Sequence, residues 1–307
     1  MLMVGGENLI DLVPIGEQGG CPIYRAVVGG SPLNVAIAAG RQGMVVDYLT
    51  PVSNDQWGQM IAAQLTAAGV TVAGGRVDAP TSLAVVADAC PTPHYSFYRT
   101  ATADRQVDRA GLGSRLPDRA RILHIGSLAV LEEPDGQVWE QFAGTCKKAG
   151  LSISFDPNVR PLPGADLGAY RARLGRLLQL ADIVKLSDED LVWLVAGKRQ
   201  DALEQLVAAT AAAIVIVTGG RQGASILHQG SWHEVPAAPV TGFKDAVGAG
   251  DVFMATVLAW LGQEGRLARL EQLELAEKLA MVKRACQAAA LSCQQHGCVA
   301  PQASELK

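Results

Sequence analysis

The sequence predicts an α/β protein in which helices cover both faces of one parallel or mixed sheet. Short apolar runs typical of strands alternate with longer segments in which apolar residues recur at helical spacing. Hydrophobic residues make up 49% of the 307 residues, which is enough for a sizeable core. Two regions, roughly 8–28 and 77–107, break the alternation with strand-like segments and no helix between them. They predict a small sheet that projects from the main domain.

The elements of the main domain follow in order along the chain. Its strands are predicted from apolar runs at residues 1–4, 45–49, 122–125, 151–155, 183–185 and 213–217. A second set, 224–227 and 232–235, has the pattern of a hairpin. Helical spacing fills the intervals at 34–42, 56–68, 136–149, 168–180, 188–195, 202–211, 249–261 and about 270–294. No repeat or low-complexity linker marks a boundary, so a single domain over 1–307 is predicted.

Composition and charge narrow the class of protein. The net charge is −4 and no cluster of lysines and arginines stands out, which disfavours nucleic acid as a partner. No apolar stretch reaches the roughly 18 residues of a membrane span, and the N-terminus lacks the pattern of a signal peptide. The six cysteines form no CxxC pair, and those near His296 fit no common zinc spacing. The sequence therefore favours a reducing cytoplasm.

Common catalytic fingerprints are absent. The chain has no GxxxxGKS/T, no GxGxxG between a first strand and a helix, and no GxSxG. A P-loop protein, an NAD enzyme and a serine hydrolase are disfavoured for these reasons.

One candidate site is the stretch KDAVGAGDVF at residues 244–253. The first turn of a helix has unpaired N–H groups and a partial positive charge, and glycines let an anion approach the backbone closely. Gly248, Ala249 and Gly250 are therefore candidates to bind a phosphoryl group, with Asp251 in reach of an attacking hydroxyl. The alternative is that Asp251 is only a helix cap.

A second candidate site is VVGGSPLN at residues 27–34. Gly29 and Gly30 precede a helix that begins near Ser31 to Asn34, where the Asn34 amide is placed to hydrogen-bond sugar hydroxyls. The alternative is a glycine-rich turn in which Ser31 or Asn34 caps the helix.

Together the two stretches resemble the signature regions of the PfkB carbohydrate kinases, the ribokinase-like kinases. Further segments follow in the order of that family, from about residue 4 to residue 301: GENLIDL with Asp11, SNDQWG, FDPNVRP, KLSDEDL and VTGGRQG. The resemblance implies a ribokinase-like three-layer α/β/α sandwich in which the small sheet is a lid. It also implies ATP-dependent phosphorylation of a hydroxymethyl group of a small sugar.

The resemblance also implies roles for individual residues. Asp251 would be the base, with Gly248, Ala249 and Gly250 in the anion loop, the amide of Asp251 joining them, and Arg160 contacting substrate or phosphate. The residues implied in sugar binding are Asp11, Gly29, Gly30, Asn34, Tyr98, Arg99, Asp104 and Arg105. The residues implied in nucleotide binding are Lys185, Ser187, Thr218, Gly219, Gly220, Gly223 and Gly250, with about 288–297 on the adenine side. Mg²⁺ would be held through water by Asp190, and a monovalent cation such as K⁺ would bind at Asp245 and Val247.

The chain departs from the family pattern at three positions. Ala246 replaces a threonine, and Ser187 and Asp190 stand where the family has asparagine and glutamate. An alternative for the last two is a capping box without a metal.

Several alternatives for function stay open from the sequence alone. The motifs most resemble the fructokinase-type branch. A 2-keto-3-deoxygluconate kinase is the alternative substrate class, and Arg99 or Arg105 would then meet the acid group. A sugar- or nucleotide-binding sensor without catalysis is the alternative of another class. The exposed edge of the lid predicts a homodimer.

Overall fold

The computed structural model describes residues 1–87, 94–114, 116–195, 199–263 and 265–306. The strands in these residues are β1 (Leu2–Val4), β2 (Leu9–Gln18), β3 (Cys21–Gly29), β4 (Val46–Tyr48), β5 (Val52–Ser53), β6 (Val70–Val72), β7 (Arg76–Val77), β8 (Ser82–Ala87), β9 (His94–Tyr98), β10 (Ile122–Gly126), β11 (Ser152–Asp156), β12 (Ile183–Ser187), β13 (Ile214–Thr218), β14 (Ala224–His228) and β15 (Ser231–Val235). The α-helices are α1 (Ser31–Arg41), α2 (Gln56–Ala67), α3 (Arg109–Gly113), α4 (Asp135–Lys148), α5 (Leu167–Leu180), α6 (Asp188–Leu194), α7 (Arg199–Ala209), α8 (Ala249–Leu261) and α9 (Leu275–Ser292).

The main sheet is mixed. Its strand order is β15-β14-β13-β12-β11-β10-β1-β4-β6. The pairs from β6 through to β13 are parallel, whereas β13, β14 and β15 pair antiparallel as the predicted hairpin requires. The carboxyl ends of the parallel strands therefore meet at one edge of the sheet, where α/β proteins bind their ligands.

Helices cover both faces of this sheet, as predicted. Successive strand residues point to opposite faces, so Val4 belongs to one apolar core and Met3 to the other. In β13 the same alternation sends Ile216 to the first core and Val217 to the second. Residues of α1, α2, α8 and α9 pack in the first core, and residues of α4, α5, α6 and α7 pack in the second. The three-layer arrangement is confirmed.

Helix α8 is the most enclosed part of the first core. It buries every residue from 251 to 259. Because a helix that is apolar all round has no solvent face, α8 lies between neighbours, packing against α1 and α9.

The predicted projecting sheet is also present. Strands β3-β2-β8-β9 form a separate four-stranded sheet, here called the lid. Strands β2 and β8 pair parallel in its centre, and β3 and β9 are its edges. Residues 88–93, within the predicted region 77–107, lie outside the described residues.

Some elements differ from the sequence prediction, among them the short elements β5, β7 and α3, which were not predicted. The helix predicted from about residue 270 begins at Leu275, because residues 266–272 form an irregular 3-10 segment. The amide of Glu274, the N-cap, donates to the side chain of Glu277 and so marks the start of the helix. Strand β6 was not predicted, since three residues between turns give too short a pattern. None of the helices in the described ranges is both long and apolar enough to cross a membrane.

Candidate active site

A cavity of about 590 Å³ opens at the carboxyl ends of the central strands. The candidate residues that the sequence indicated and that line it are Asp11, Gly30, Asn34, Arg160, Lys185, Ser187, Asp190, Thr218, Gly219, Gly220, Val247, Gly248, Ala249, Gly250 and Asp251. Residues from distant parts of the chain thus meet in one place.

The start of α8 depends on a glycine. Gly248 caps the helix in the left-handed conformation, with φ of 72°. A Cβ at this position would lie 2.3 Å from Sγ of Cys298. Only glycine satisfies both conditions, so this position sets how α8 approaches the cavity.

The first-turn amides of α8 divide into two groups. The amide of Ala249 donates to the Ala246 carbonyl oxygen at 3.2 Å. The expectation that it is available to an anion is therefore corrected for this structure. The first amides of a helix have no intrahelical acceptor, and both Gly250 and Asp251 line the cavity. These two amides form the candidate anion site.

Asp251 is buried at 8% exposure and is held by two side chains of α1. Ser31 Oγ donates to its Oδ1 at 2.7 Å, and Asn34 Nδ2 donates to its Oδ2 at 2.8 Å. Burial raises the pKa of Asp251, while the Asn34 and Ser31 hydrogen bonds and the Lys185 charge oppose the rise. An oriented carboxylate with a raised pKa is suited to accept a proton.

Asp11 reaches the same cavity from the lid. Gly29 makes room for it, because a Cβ there would lie 2.0 Å from Asp11 Oδ2. Gly30, with φ of 112°, leaves similarly little space against the Glu7 carbonyl oxygen. Burial and, secondly, the charge of Asp251 raise the pKa of Asp11 to about 6. The lid thus brings a second carboxylate towards the base.

Lys185 brings a positive charge to the anion site. Its Nζ bonds Asp156 Oδ2 at 2.8 Å, and both side chains are buried. Burial lowers the pKa of Lys185, but the charges of Asp156 and Asp190 outweigh it and the net shift is upward. The Nζ atom lies 3.1 Å from where a Cβ of Gly250 would stand. The charge is therefore beside the free amides of α8.

Ser187 and Asp190 form the capping box that was the alternative reading of this motif. Ser187 Oγ accepts from the Asp190 amide at 3.1 Å, and Asp190 Oδ2 accepts from the Ser187 amide at 2.8 Å. Asp190 Oδ1 also accepts from the Val159 amide at 2.6 Å. The capping box is confirmed, and it fixes Asp190 at the cavity wall.

A second cavity, of about 1070 Å³, adjoins the first. Thr218, Gly220 and Gly223 line it, so part of the predicted nucleotide turn is at this position. Gly223, with φ of 100°, lets this turn approach the end of β15 closely, since a Cβ would lie 2.1 Å from the Val235 carbonyl oxygen. The apolar lining comes mostly from segments that sequence reasoning missed: Ala237, Ala238, Pro239, Val240, Phe243, Phe253 and Cys286.

Part of the stretch predicted to line the adenine side also lines the second cavity. Ala289, Ala290 and Cys293 line it, and the predicted stretch 288–297 includes them. Cys286 lies one turn earlier on α9. It is a small residue at helical spacing from Ala289 and Ala290, and this spacing could have predicted that it lines the same cavity.

Four candidate residues at or after the end of β9 do not line the first cavity, which corrects the expectation that they contact sugar: Tyr98, Arg99, Asp104 and Arg105. Tyr98 is 62% exposed, and strand alternation sends Tyr95 and Phe97 to the cavity instead. The sequence prediction relied on the polar residues at the end of this strand and did not include the alternating aromatic residues Tyr95 and Phe97.

The other three residues belong to a network of ion pairs and do not line the cavity. Arg99 pairs with Asp104 at 3.0 Å. Arg105 pairs with Glu132 at 3.0 Å and with Asp135 at 2.8 Å. Both arginines are therefore neutralised within the protein. Arg99 is buried, and a buried arginine needs carboxylate partners.

At the predicted cation position, the carboxylate of Asp245 already accepts two hydrogen bonds from the protein. Asp245 Oδ1 accepts from the Val247 amide at 2.9 Å, and Oδ2 accepts from the Gly297 amide at 3.0 Å. In the described part of the chain, no group of three or more histidine, cysteine or acidic residues has metal-binding geometry.

Charge is thus concentrated where a hydroxyl would meet a transferring phosphoryl group, and the cleft continues into an apolar compartment. The fold and the site define the class of nucleotide-dependent phosphotransferases. The chain matches the model of the pfkB family of carbohydrate kinases over residues 1–305, and it belongs to that family. It is therefore a sugar kinase, as the motifs predicted.

Similar proteins agree with this assignment. The chain is 34% identical to a fructokinase of Rhizobium leguminosarum bv. trifolii over 283 residues, covering 91% of this chain and 85% of the relative. It is 31% identical to the probable fructokinase-6, chloroplastic, of Arabidopsis thaliana, covering 92% of this chain and 74% of the relative.

Solved structures give the same result for the fold. A fructokinase of Xylella fastidiosa with bound ATP superposes with a TM-score of 0.88 at 27% identity, covering 99% of this chain and 96% of the other. A fructokinase of Vibrio cholerae O395 with fructose, ADP and calcium superposes with a TM-score of 0.86 at 28% identity, covering 99% and 97%. The ribokinase-like fold is confirmed.

Proposed function

We propose that this kinase transfers the γ-phosphoryl group of ATP to a hydroxymethyl group of fructose or a related ketose. The observation that carries the proposal is the Asp251 carboxylate at the start of α8, next to two free amides and the Lys185 ammonium. The fructokinase relatives, similar over most of their length, support fructose as the acceptor. The two solved fructokinases, one with ATP and one with fructose and ADP, support the substrate pair.

The proposed reaction is an in-line displacement. The hydroxyl of the sugar gives its proton to Asp251 as its oxygen bonds the γ-phosphorus, and the bond to the bridging oxygen of ADP breaks. The amides of Gly250 and Asp251 stabilise the charge of the transferring group. Lys185 adds a fixed positive charge from one wall, and Arg160, which lines the cavity, adds another.

The nucleotide would lie along the turn of β13. Thr218, Gly219, Gly220 and Gly223 shape this groove. The three glycines have no side chain and Thr218 has a small one, which leaves room for phosphates and ribose. Ser187 lies at the wall of the same cleft. The apolar second cavity is then the compartment for the base.

Magnesium is the proposed divalent ion, since it neutralises the phosphates when bound. Asp190 would hold it through water, because both of its oxygens already accept protein hydrogen bonds. Glu189, which lines both cavities, is a further carboxylate suited to this role. A monovalent cation, K⁺, is proposed at Asp245 and Val247, where the bonded carboxylate offers only its remaining lone pairs.

A neutral sugar is favoured over an acid sugar such as 2-keto-3-deoxygluconate. The two arginines suited to an acid group, Arg99 and Arg105, are paired with carboxylates. The sugar cavity is walled by Glu7, Asp11 and Asp251, which favour hydroxyl donors over a carboxylate. Arg160 is the cation that keeps the acid sugar as the alternative.

Catalysis is favoured over a sensor role. A sensor needs neither an oriented base nor free amides at the same point, whereas both are features of this cavity.

A single kinase domain, a cytoplasmic location and a homodimer complete the proposal. The lid strands follow the proposed ranges 8–28 and 77–107, except that β3 ends at Gly29, and the lid residues Leu9, Asp11, Tyr95 and Phe97 line the cavity. The five cysteines in the described residues are free, which suits a reducing compartment. The lid exposes the apolar side chains of Ile15, Tyr24 and Tyr98, which a second lid would cover.

The test is a coupled assay of ADP formation over fructose, ribose, 2-keto-3-deoxygluconate and nucleosides. We expect fructose or a related ketose to give the highest kcat/KM, with formation of the sugar phosphate. Preference for the acid sugar would overturn the acceptor assignment. ATP binding without turnover of any sugar would favour the sensor instead.

A further inference from the structure

Two donors from one helix hold the Asp251 carboxylate. Ser31 and Asn34 are three residues apart on the first turn of α1, so their side chains lie on one face. Each bonds a different oxygen, at 2.7 and 2.8 Å. One donor on each oxygen fixes the plane of the carboxylate and still leaves a lone pair on each for an incoming proton.

Ser31 is itself held by another residue that lines the cavity, Glu7. Its amide donates to Glu7 Oε1 at 3.1 Å. Ser31 is the first residue of α1, and the first amides of a helix have no intrahelical acceptor. Glu7, from the loop after β1, supplies the acceptor for this amide.

The Glu7 side chain has properties that a surface cap lacks. It is only 2% exposed and lines the sugar cavity. Within the described ranges its buried Oε2 atom makes no hydrogen bond of normal length. Burial raises the pKa of Glu7 to about 7, while the Arg99 charge and the Ser127 hydroxyl oppose the rise. Burying a carboxyl group is costly, so an apolar residue here would be expected unless the carboxyl group has a task.

We propose that Ser31 is a positioning residue for the base and that Glu7 anchors it, so that Glu7, Ser31 and Asp251 form one positioning relay. The inference rests on the proposed role of Asp251. Glu7 fixes the start of α1, the Ser31 hydroxyl then meets Oδ1, and the carboxylate faces the sugar hydroxyl in one orientation.

A purely structural role is the competing explanation. If Glu7 and Ser31 only stabilise α1, their loss lowers the stability of the protein and reduces kcat/KM by the same factor at every pH. The relay also predicts a change in the pH dependence of kcat/KM. The Ser31 hydrogen bond favours the ionised carboxylate, so its removal moves the acidic limb of the profile to higher pH.

Other titratable groups face Asp251 or Ser31 and stay in place in this experiment. They come from the loop after β1, the lid, β11 and the segment after it, β12 and the C-terminal segment: Glu7, Asp11, Asp156, Arg160, Lys185 and Cys298. Burial raises the pKa of the Cys298 thiol, which is therefore neutral. A shift seen on removal of the Ser31 hydroxyl therefore reports that hydroxyl.

The first experiment compares Ser31→Ala with Ser154→Ala in the full chain. Ser154 is a buried serine that bonds His124 Nδ1 at 2.9 Å and does not line either cavity. We expect Ser31→Ala to lower kcat/KM about 10- to 100-fold, the range for a hydrogen bond to a charged group, and to shift the acidic limb upward. Ser154→Ala should lose stability and keep the wild-type profile. An unshifted limb in folded Ser31→Ala overturns the relay.

The second experiment tests the anchor. Glu7→Ala removes the acceptor of the Ser31 amide, whereas Glu7→Gln keeps an oxygen there. We expect a loss of kcat/KM in Glu7→Ala that is mostly rescued in Glu7→Gln. In a Ser31→Ala background, Glu7→Ala should add little, because residues that act through one another are not additive. Full additivity, or equal loss in both Glu7 variants, overturns the anchor.

The sugar for these assays is the one that the wild-type enzyme turns over fastest, so a wrong sugar assignment does not affect the result. If Asp251→Asn keeps wild-type turnover, the proposed base is wrong. If Asp251→Asn is inactive and Ser31→Ala keeps the wild-type profile, only the relay is wrong.

Discussion

The two ends of the cleft are built differently. At the sugar end, Asp251, Lys185 and Glu7 are held by side-chain hydrogen bonds and an ion pair. At the nucleotide end, the second cavity is lined mainly by alanines, glycines and single apolar side chains. One end is organised by charge and the other by shape.

The difference follows from what each end has to do. Charge develops at the sugar hydroxyl and the γ-phosphoryl, so groups there must be oriented before the reaction. The base of the nucleotide does not react, and it needs only a groove that fits it. Changes at the sugar end should therefore act on kcat or on the KM for sugar, and changes at the nucleotide end on the KM for ATP.

The largest effect is expected for Asp251→Asn. Loss of the base should lower kcat about 100-fold or more, with little change in KM for ATP. Turnover is measured by ADP formation, and circular dichroism checks the fold. Near wild-type turnover in a folded variant would contradict the separation of the two ends.

Asp11→Ala should come next. Because its carboxylate faces the sugar cavity, we expect sugar affinity to fall about 10- to 100-fold, while ATP affinity stays unchanged. Calorimetry with each substrate separately measures both. Equal loss of the two affinities would mean that Asp11 supports the whole cleft rather than the sugar.

The same carboxylate should make sugar binding depend on pH. Protonation of Asp11 removes acceptor capacity, and its pKa is raised to about 6. The KM for sugar is therefore expected to rise as the pH falls through about 6. Asp11→Asn should have a KM that does not change in this range. A wild-type KM that is constant from pH 7 to below the usual aspartate pKa, roughly 4, would exclude Asp11.

At the nucleotide end, filling the groove should be enough to impair it. Ala289 lines the second cavity, and Ala289→Phe should raise the KM for ATP about 10-fold, as expected for overpacking of 1–3 kcal/mol. Ala169→Phe, on the exposed face of α5, is the matched control. A rise in the KM for sugar instead would place this cavity outside the nucleotide site.

The smallest effect is expected at the rim. Phe243 is 55% exposed at the second cavity, with the Arg221 guanidinium 5.8 Å from its ring centroid. Phe243→Ala should raise the KM for ATP about two- to tenfold, the range of one aromatic contact. Arg221→Ala should act in the same direction. If neither variant changes that KM, the base does not reach this rim.

Much of the fold and of the reacting centre was predictable, because both depend on local patterns. The alternation of strands and helices gave the layers, and GAGD with GGSPLN located Asp251 and Asn34. The glycines were informative since Gly29, Gly30 and Gly248 each permit a close approach that a Cβ would block.

What could not be predicted depends on contacts between distant residues. Arg99 and Arg105 suit a substrate anion as single residues, and only the fold brings Asp104, Glu132 and Asp135 to them. Glu7 was part of a quoted motif, yet its bond to Ser31 crosses 24 residues. Local composition carries no information about such pairs.

The burial of α8 has a consequence for how the enzyme loses activity. Residues 251–259 of this helix have no solvent face, and its first turn carries the base. Displacing Asp251 would expose the first core, so local opening at this point costs nearly as much as global unfolding. Heat inactivation should therefore coincide with loss of the whole fold, and the lifetime of activity on storage should equal the unfolding half-life of the domain.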